Sequence, residues 1–320
     1  MTDEEFRELV EPHRRELLAH CYRILGAVHD AEDALQDALV RAWRGLASFE
    51  GRSTLRRWLY TIATRASLDI AEKRRARSLP LLEVAPTDVV TEFPAPATEG
   101  AWIEPIPSDV IPDDAPGPEA RVSARESVAF AFLAVMQTLP PRQRAALVLR
   151  DVAGYSAIET AEILELSVAA ANSALQRARD ALASRPAIQP DSTIDPGLLE
   201  RFITACETRD ADALVALLVP DAAFSMPPFP LWVRGTDAIR AFARDVLFTV
   251  PTMRDQRLAI VPGGANGLPA VAAYARDATG AFAPVALDVL VIRGGKIAEL
   301  HAFLAIGGFI DLARFPHPRA

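Results

Sequence analysis

Between residues 78 and 122 the chain carries nine prolines and nine acidic side chains, against a single arginine. Proline removes a backbone donor and interrupts helix and interior strand alike, while closely spaced carboxylates repel one another. No single core can run through such a segment. It divides the 320 residues into blocks that must each bury their own apolar surface, and this length suits two or three domains. The composition predicts an extended, acidic, proline-rich linker over 78–122. One apolar island interrupts it, Trp102-Ile103-Glu104-Pro105-Ile106-Pro107. The island suits docking onto a domain surface, and equally a chance cluster.

The block before the linker, 1–77, reads as three helices. Leu17, Cys21, Ile24 and Leu25 recur at helical spacing. Ala31, Ala34, Leu35, Ala38, Leu39, Ala42 and Trp43 hold a second stripe, and Leu55, Trp58, Leu59, Ile62, Ala63 and Ala66 a third. Asp30 and Ser53 stand where N-caps of the second and third helices would fall. After the linker, over 123–185, Val128, Phe132, Val135 and Met136 continue the helical pattern, and Pro140-Pro141 breaks it and starts a new helix. Ser156-Ala157-Ile158-Glu159 is a capping box opening a short helix. A turn at Glu165-Leu166-Ser167 follows, and Val168, Ala171, Leu175, Ala178 and Leu182 stripe a last helix. Short helix, tight turn and second amphipathic helix form a helix-turn-helix organisation. From 195 to 315 two helices (197–208 and 211–218) precede segments that alternate at period two. Val285 to Ile292 and Ile297 to Leu304 flank Arg293-Gly294-Gly295-Lys296, a strong hairpin signal. Helices followed by a meander predict an α+β domain.

The net charge of −8 taken alone argues against nucleic acid. Its distribution argues the other way: residues 50–77 hold eight basic and three acidic side chains, while 1–49 hold six and ten. A local basic block in an acidic chain is a footprint for phosphates, with a solvated helix face as the plain alternative. Two distant cysteines and five scattered histidines predict neither a disulfide nor a metal site, and no cofactor is expected. No apolar run reaches membrane-span length, and Met1 to Val10 lacks the basic-then-apolar pattern of a signal peptide, so a cytoplasmic protein without membrane contact is expected.

Three stretches carry a resemblance. Asp30-Ala31-Glu32-Asp33-Ala34-Leu35-Gln36-Asp37 through Arg41-Ala42-Trp43 resembles region 2.2 of RNA polymerase sigma factors. Phe49-Glu50-Gly51-Arg52-Ser53-Thr54-Leu55-Arg56-Arg57-Trp58-Leu59 with Ile62-Ala63 resembles regions 2.3 and 2.4. Leu139-Pro140-Pro141-Arg142-Gln143-Arg144, Gly154-Tyr155-Ser156 and Ser173-Ala174-Leu175-Gln176-Arg177-Ala178-Arg179 resemble region 4. Domain order and spacer are similar to the extracytoplasmic-function class. One departure stands out: the helix-turn-helix turn carries Glu165-Leu166 where the family often has a small residue or glycine. The C-terminal block resembles the SnoaL-like branch of the nuclear transport factor 2-like fold, on Met226-Pro227-Pro228, Trp232, Gly235 and the Gly267-Pro269 strand entry. The expected fold is therefore multidomain: two all-α sigma domains, a region 2 bundle and a region 4 helix-turn-helix, plus an α+β cone-shaped barrel.

The resemblance implies a non-enzymatic transcription initiation factor. Its partners would be promoter DNA and core RNA polymerase, through the largest and second-largest catalytic subunits. Asp30, Glu32, Asp33, Gln36, Asp37 and Arg41 would form the core-binding face, since a carboxylate-rich helix face can pair with basic side chains on a partner helix. Phe49, Arg52, Ser53, Arg56, Arg57, Tyr60, Thr61, Arg65, Lys73 and Arg74, with Ser67 on the same face and Arg75 and Arg77 beyond, would meet −10 DNA; arginines track phosphates and an aromatic ring stacks on an unpaired base. Arg142, Arg144, Ala169, Asn172, Ser173, Gln176, Arg177 and Arg179 would meet −35 DNA, with Asn and Gln reading base edges and arginines contacting phosphates. In the last block, Phe224, Met226, Phe229, Trp232 and Tyr274 are candidate lining residues of a ligand cavity. A two-residue hairpin loop places Asp288 opposite His301, which suits either an acid–base dyad or a structural cross-strand pair. A bifunctional protein whose last domain is a cyclase or isomerase is the alternative, as is an ordinary helix-turn-helix regulator.

Overall fold

The computed structural model describes residues 2–74, 76–88, 90–97, 100–112, 129–183, 195–251, 257–276 and 279–318. Arg75, Val128 and the 113–122 end of the expected linker lie outside these. The chain forms two compact units, Met1–Arg77 with Asp109–Ala187, and Ser78–Ser108 with Ile188–Ala320.

The first unit is all helical. Helix α1 (Asp3–Leu25) opens on a capping box between Thr2 and Glu5 and ends at Gly26, whose φ of 72° favours a residue without a Cβ. Helices α2 (Val28–Gly45) and α3 (Leu55–Ala71) pack against it. Their cores follow the predicted stripes: Leu17, Cys21, Ile24, Ala31, Ala34, Leu35, Ala38, Leu59, Ala63 and Ala66 are buried. The stripe of α2 outruns this core, however. Trp43, one turn beyond, is 37% exposed and rests edge-on against Phe6, centroids 5.1 Å apart. The predicted caps also move. Helix α2 begins at Val28, which puts Asp30 inside its first turn, and Thr54 rather than Ser53 caps α3, accepting a bond from the Arg57 N–H at 3.2 Å.

Helices α4 (Phe130–Gln137) and α5 (Pro141–Leu147) are joined by the Pro140-Pro141 break, which supplies a helix-compatible φ at the start of α5. One wide turn, Val148–Val152, extends α5. The Ser156–Glu159 capping box then starts α6 (Ala157–Leu164), and α7 (Val168–Ala183) follows the turn. Glu165 itself takes the left-handed conformation, φ 55°, that a glycine would take without strain. Ala171, Ala174, Leu175 and Ala178 seat α7; Val168, expected inward, is 41% exposed because it sits at the first turn, beyond the packed face.

Arg144 binds this unit together. Its guanidinium is buried and donates to the carbonyls of Met136 (2.9 Å), Gln137 (3.1 Å) and Leu139 (3.1 Å), to the Gln137 side chain (2.7 Å), and to the Ile24 carbonyl at the end of α1. Two helix ends leave carbonyls without intrahelical partners, and one side chain satisfies both. Burial pulls its pKa down to about 10, so it stays charged at neutral pH.

In the second unit, helices α8 (Pro196–Thr208) and α9 (Ala211–Ala216) lead into strand β1 (Leu218–Ser225), then β2 (Trp232–Arg234), helix α10 (Thr236–Asp245), and β3 (Arg257–Ala265), β4 (Leu268–Arg276), β5 (Phe282–Arg293) and β6 (Lys296–Leu304). Among the described residues these strands form one mixed sheet in the order β2-β1-β6-β5-β4-β3, with β1 and β6 parallel. The α+β cone fold is there, but its sheet is open: β2 and β3 are its edges rather than partners closing a barrel. Its apolar face packs on Phe202, Phe224, Ile239, Phe242 and Leu300. The Gly294-Gly295 hairpin forms as the sequence predicts, with Arg293 paired to Lys296.

Of the expected linker, the described residues up to Ser108 belong to this unit, and Asp109 to Pro112 belong to the first. The Trp102 indole N–H donates to the Pro228 carbonyl at 2.9 Å, and the Trp232 indole N–H donates to the Val84 carbonyl at 2.8 Å. Asn266, at the β3–β4 turn, exchanges two bonds with the Ile106 backbone. The apolar island is therefore a docked segment: Trp102, Ile103 and Ile106 are all buried.

The Arg144 cluster predicts an asymmetry between two arginines two residues apart. Arg144→Ala strands several buried carbonyls and should cost about 2–4 kcal/mol in chemical denaturation. Arg142→Ala, at an exposed position, should change stability by less than about 0.5 kcal/mol.

Candidate functional site

The basic face of α3 is present, and in this structure it is occupied. Arg56 pairs with Glu16 of α1 at 2.8 Å. Arg57 is paired with Glu162 and lies 3.6 Å from Glu159, both on α6. Arg65 meets Glu165, just past α6, at 2.9 Å. Apolar and aromatic contacts support these pairs: Tyr60 sits edge-on to Tyr155 with centroids 5.4 Å apart. Tyr60 is accordingly a correction to the expected stacking surface. It is 4% exposed and donates to Glu16 at 3.2 Å, and burial raises its pKa. Among the other residues expected at −10 DNA, Arg52, Arg65, Lys73 and Arg74 are exposed, while Phe49, Ser53, Arg56, Arg57 and Thr61 are half-buried. Phe49 lies against Trp58 at 4.9 Å between ring centroids.

On α2, Asp33, Gln36, Asp37 and Arg41 are exposed on one side, with Glu32 half-buried beside them. Arg41 is bracketed by Asp37 at 2.6 Å and Asp69 at 2.9 Å. Asp30 does not belong to this face. It is 2% exposed and holds Arg77 at 2.8 Å together with Arg74. Its place in the first turn of α2 turns it inward to neutralise buried Arg77, so it is a structural anion; Arg77, like the fully buried Ser67, is thereby withdrawn from the surface expected to meet −10 DNA.

On α7, Ala169, Asn172, Ser173, Gln176, Arg177 and Arg179 share an exposed face. The small residues at the start of the helix leave room for close approach of a groove wall. The Gln176 amide donates to Asp180 at 2.8 Å, and Arg179 makes a two-bond pair with Asp151, at 3.0 and 2.6 Å. Arg142 is exposed and 3.8 Å from Glu72. Arg144 is a further correction: its buried guanidinium serves carbonyls and is not placed for a phosphate.

The sheet of the second unit encloses a cavity of about 380 Å³. Phe224, Met226 and Phe229 line it as expected, joined by Phe202 and Cys206 of α8 and by Phe93 of the linker. Trp232 and Tyr274 do not line it. Trp232 is turned to the linker, and the Tyr274 hydroxyl donates to the Leu312 and Pro316 carbonyls, each at 3.2 Å. In β4, Ala273 faces the cavity, so its neighbour Tyr274 must face away.

The expected Asp288–His301 dyad does not form. The hairpin register holds from Arg293–Lys296 to Ile292–Ile297, then slips by one at a bulge, so that Val291 pairs with Glu299 and Asp288 with Ala302. One inserted residue moves every later side chain of β6 to the other face. Asp288 faces the cavity. His301 lies on the opposite face, bonded to the Ser225 hydroxyl at 2.8 Å and to Glu299 at 2.9 Å. Burial pushes the Asp288 pKa up to about 7, and the Cys206 thiol beside it is also raised well above its usual value, first by burial and then by Asp288.

Sequence reasoning missed Glu16, Glu162 and Phe93. The i, i+3 spacing of Glu159, Glu162 and Glu165 was a visible signal for an acidic helix edge. Nothing in the linker's composition marked Phe93.

Comparison with known proteins follows this geometry. Residues 9–77 match the model of sigma-70 region 2, residues 129–182 that of sigma-70 region 4, and residues 199–300 that of the SnoaL-like domain. The chain is 40% identical over 306 residues to the ECF RNA polymerase sigma factor SigG of Mycobacterium tuberculosis, covering 94% of this chain and 81% of SigG. It is 31% identical to SigJ of the same organism, covering 91% and 88%. The crystal structure of SigJ superposes with a TM-score of 0.56 at 27% identity, covering 96% of this chain and 98% of SigJ. Among the described residues no helix is long and apolar enough to cross a membrane.

The raised Asp288 pKa has a signed consequence. Unfolded, an aspartate titrates near about 3.9. Between that value and about 7 the folded state holds a proton that the unfolded state has released, so this group lowers stability as pH rises through that window and adds no further change above it. The stability of Asp288→Asn relative to the parent chain should therefore grow from about pH 4 to about pH 7 and then level off. Thermal melts of both chains across that range check it; a constant difference would refute it.

Proposed function

This chain belongs to the extracytoplasmic-function sigma factors, and from that premise we propose how its residues divide the work of initiation. As a sigma factor it directs RNA polymerase to promoters. The exposed side of α2, with Asp33, Gln36, Asp37 and Arg41, docks on basic helices of the largest catalytic subunit, and the helix-turn-helix engages the second-largest. The α7 face reads the −35 element as duplex: Asn172, Ser173 and Gln176 meet base edges, and Arg177 and Arg179 contact phosphates. Arg56, Arg57 and Arg65 of α3 take up the −10 strand as it melts, with Phe49, Arg52 and Ser53 in the preceding loop. The work is done in the cytoplasm, where polymerase is.

The observation that carries this reading is the pairing of Arg57 and Arg65 with Glu159, Glu162 and Glu165. A DNA-binding face whose cations are already matched by carboxylates of its own chain has to exchange them. Binding to core polymerase separates α6 from α3 and frees the arginines for phosphates. The second unit regulates that step and does no chemistry. Separation of Asp288 from His301 on opposite sheet faces supports this, because an acid–base pair would need both on one side.

Two variants of the full chain test the scheme. Glu159→Gln/Glu162→Gln/Glu165→Gln keeps the capping box, since glutamine serves there too. It should raise the affinity of the free protein for a −10 non-template oligonucleotide roughly threefold to tenfold, each exposed pair contributing up to about 1 kcal/mol. Unchanged affinity in a fluorescence titration would sink the exchange. Asp33→Arg/Asp37→Arg should weaken core-polymerase binding and run-off transcription together while the melting temperature stays put.

A further inference from the structure

Asp288 is out of place for a structural residue. It projects from the middle of β5 into the 380 Å³ cavity, whose other walls are almost entirely aliphatic and aromatic. Among the described residues its carboxyl makes no hydrogen bond and meets no cation, and the neighbouring titratable group on the wall is the Cys206 thiol. A carboxyl withdrawn from water without a partner is costly, and folds keep such a group where something else partners it. Here the bulge in β6 leaves His301 on the far face, so the chain itself offers no imidazole.

From this cavity we infer a binding site for a small apolar amine, with Asp288 as its counter-ion and Phe93 as the wall through which occupancy reaches the inter-domain segment. The inference rests on the reading of the second unit as regulatory. Size comes first. A cavity of about 150 Å³ holds benzene, so this one suits a ligand on the order of 15 non-hydrogen atoms. Charge follows. An anionic ligand would meet Asp288 with no cation on the wall to offset it. A neutral ligand would leave the carboxyl without a counter-charge. An ammonium group lets it ionise and supplies a charge-assisted hydrogen bond in an environment of low polarity. The faces of Phe93, Phe224 and Phe229 add a surface that attracts a cation.

The link to regulation is Phe93. It comes from the linker, not from the sheet, and stacks on Phe229 at 5.1 Å between ring centroids while its edge meets Phe242 at 6.2 Å. A ligand packed against this ring holds Phe93 down and with it the backbone between Thr87, bonded to the Trp232 carbonyl, and Ala97, bonded to the Pro228 carbonyl. That backbone belongs to the segment connecting the two helical blocks in sequence. Amine occupancy therefore biases a linker that must change course if α6 is to leave α3.

The test uses the full chain and three probes of one shape: 4-phenylbutylamine, 4-phenylbutanol and 4-phenylbutanoate. Calorimetric titration should show the amine binding, with the alcohol roughly tenfold or more weaker and the acid weaker still. Asp288→Asn should remove the preference, lowering amine affinity to that of the alcohol. Leu300→Trp, which fills the cavity from β6, should abolish binding of all three. Hydrogen exchange should slow at residues 90–97 on addition of the amine, and Phe93→Ala should lose that protection while still binding. Equal affinity for amine and alcohol, or amine binding unaltered in Asp288→Asn, overturns the counter-ion role. Amine binding without protection at 90–97 overturns the linkage. None of these measurements involves polymerase, so their failure leaves the promoter-directing scheme standing, and failure of the transcription assays leaves the binding result interpretable.

Discussion

The arginines of α3 cannot serve two sets of anions at once, and much of the first unit is arranged around that constraint. Four carboxylates, Glu16, Glu159, Glu162 and Glu165, lie against Arg56, Arg57 and Arg65. Ion pairs at the surface or only partly withdrawn from it contribute little individually, about 0–1 kcal/mol each, and salt weakens them. They are poorly suited to holding a fold and well suited to being exchanged. A phosphate backbone presents a denser line of charge and releases counter-ions when bound, which favours it over a row of glutamates once the two compete on equal terms. The stable part of the contact lies elsewhere, at Tyr60 and Tyr155 and at the Arg144 cluster on the end of α1. A partner that releases α6 has to act on those packing contacts; the charges follow.

The division between hold and release also clarifies the linker. Its prolines and acids predicted a segment unable to build a core of its own, and in that sense the composition was a sound guide. What composition does not convey is that such a segment can borrow a core. Trp102, Ile103 and Ile106 spend their apolar surface on the sheet domain, and the backbone near them is bonded to Pro228 and Asn266. The second unit thus covers a stretch that would otherwise be free to rearrange. A domain with no basic patch, twelve basic against fourteen acidic side chains from 186 onward, has little to offer DNA, but it has much to offer the chain that connects two DNA-binding blocks.

Period and punctuation made most of the architecture legible. The helical stripes, the Ser156–Glu159 capping box, the proline break and the glycine hairpin are local signals, and each is set by a few neighbouring residues. The errors share a different cause. Asp30 looked like a cap because it precedes a stripe, yet a helix start one turn earlier buries it beside Arg77. Arg144 looked like a phosphate ligand because arginine near a duplex reader usually is one, yet the demand of unpaired carbonyls at two helix ends claimed it. The Asp288–His301 pair failed on a single inserted residue in β6, which no alternation pattern reveals when both faces are apolar. In the first two cases the deciding interaction crosses between elements, and a polar side chain was recruited to satisfy a backbone or a charge that the sequence alone does not locate; in the third it is a local bulge. The exposed side of α7 was legible for the opposite reason: its pattern is fixed by burial of Ala171, Ala174, Leu175 and Ala178 alone.

Glu165 shows how a local departure can be explained by a distant need. It occupies a left-handed backbone position, φ 55°, where a residue with a Cβ costs roughly 1–2 kcal/mol and glycine costs none. If the turn between α6 and α7 were the whole story, a small residue would be the better choice. The side chain, however, is carried by that same conformation to Arg65 at 2.9 Å. Glycine would relax the turn and leave Arg65 unmatched. The strain is therefore the local side of an interaction made across the unit, and it gives the turn between α6 and α7 a direct part in covering the basic face of α3. The residue that shapes the turn is thus also the one that matches Arg65 of α3.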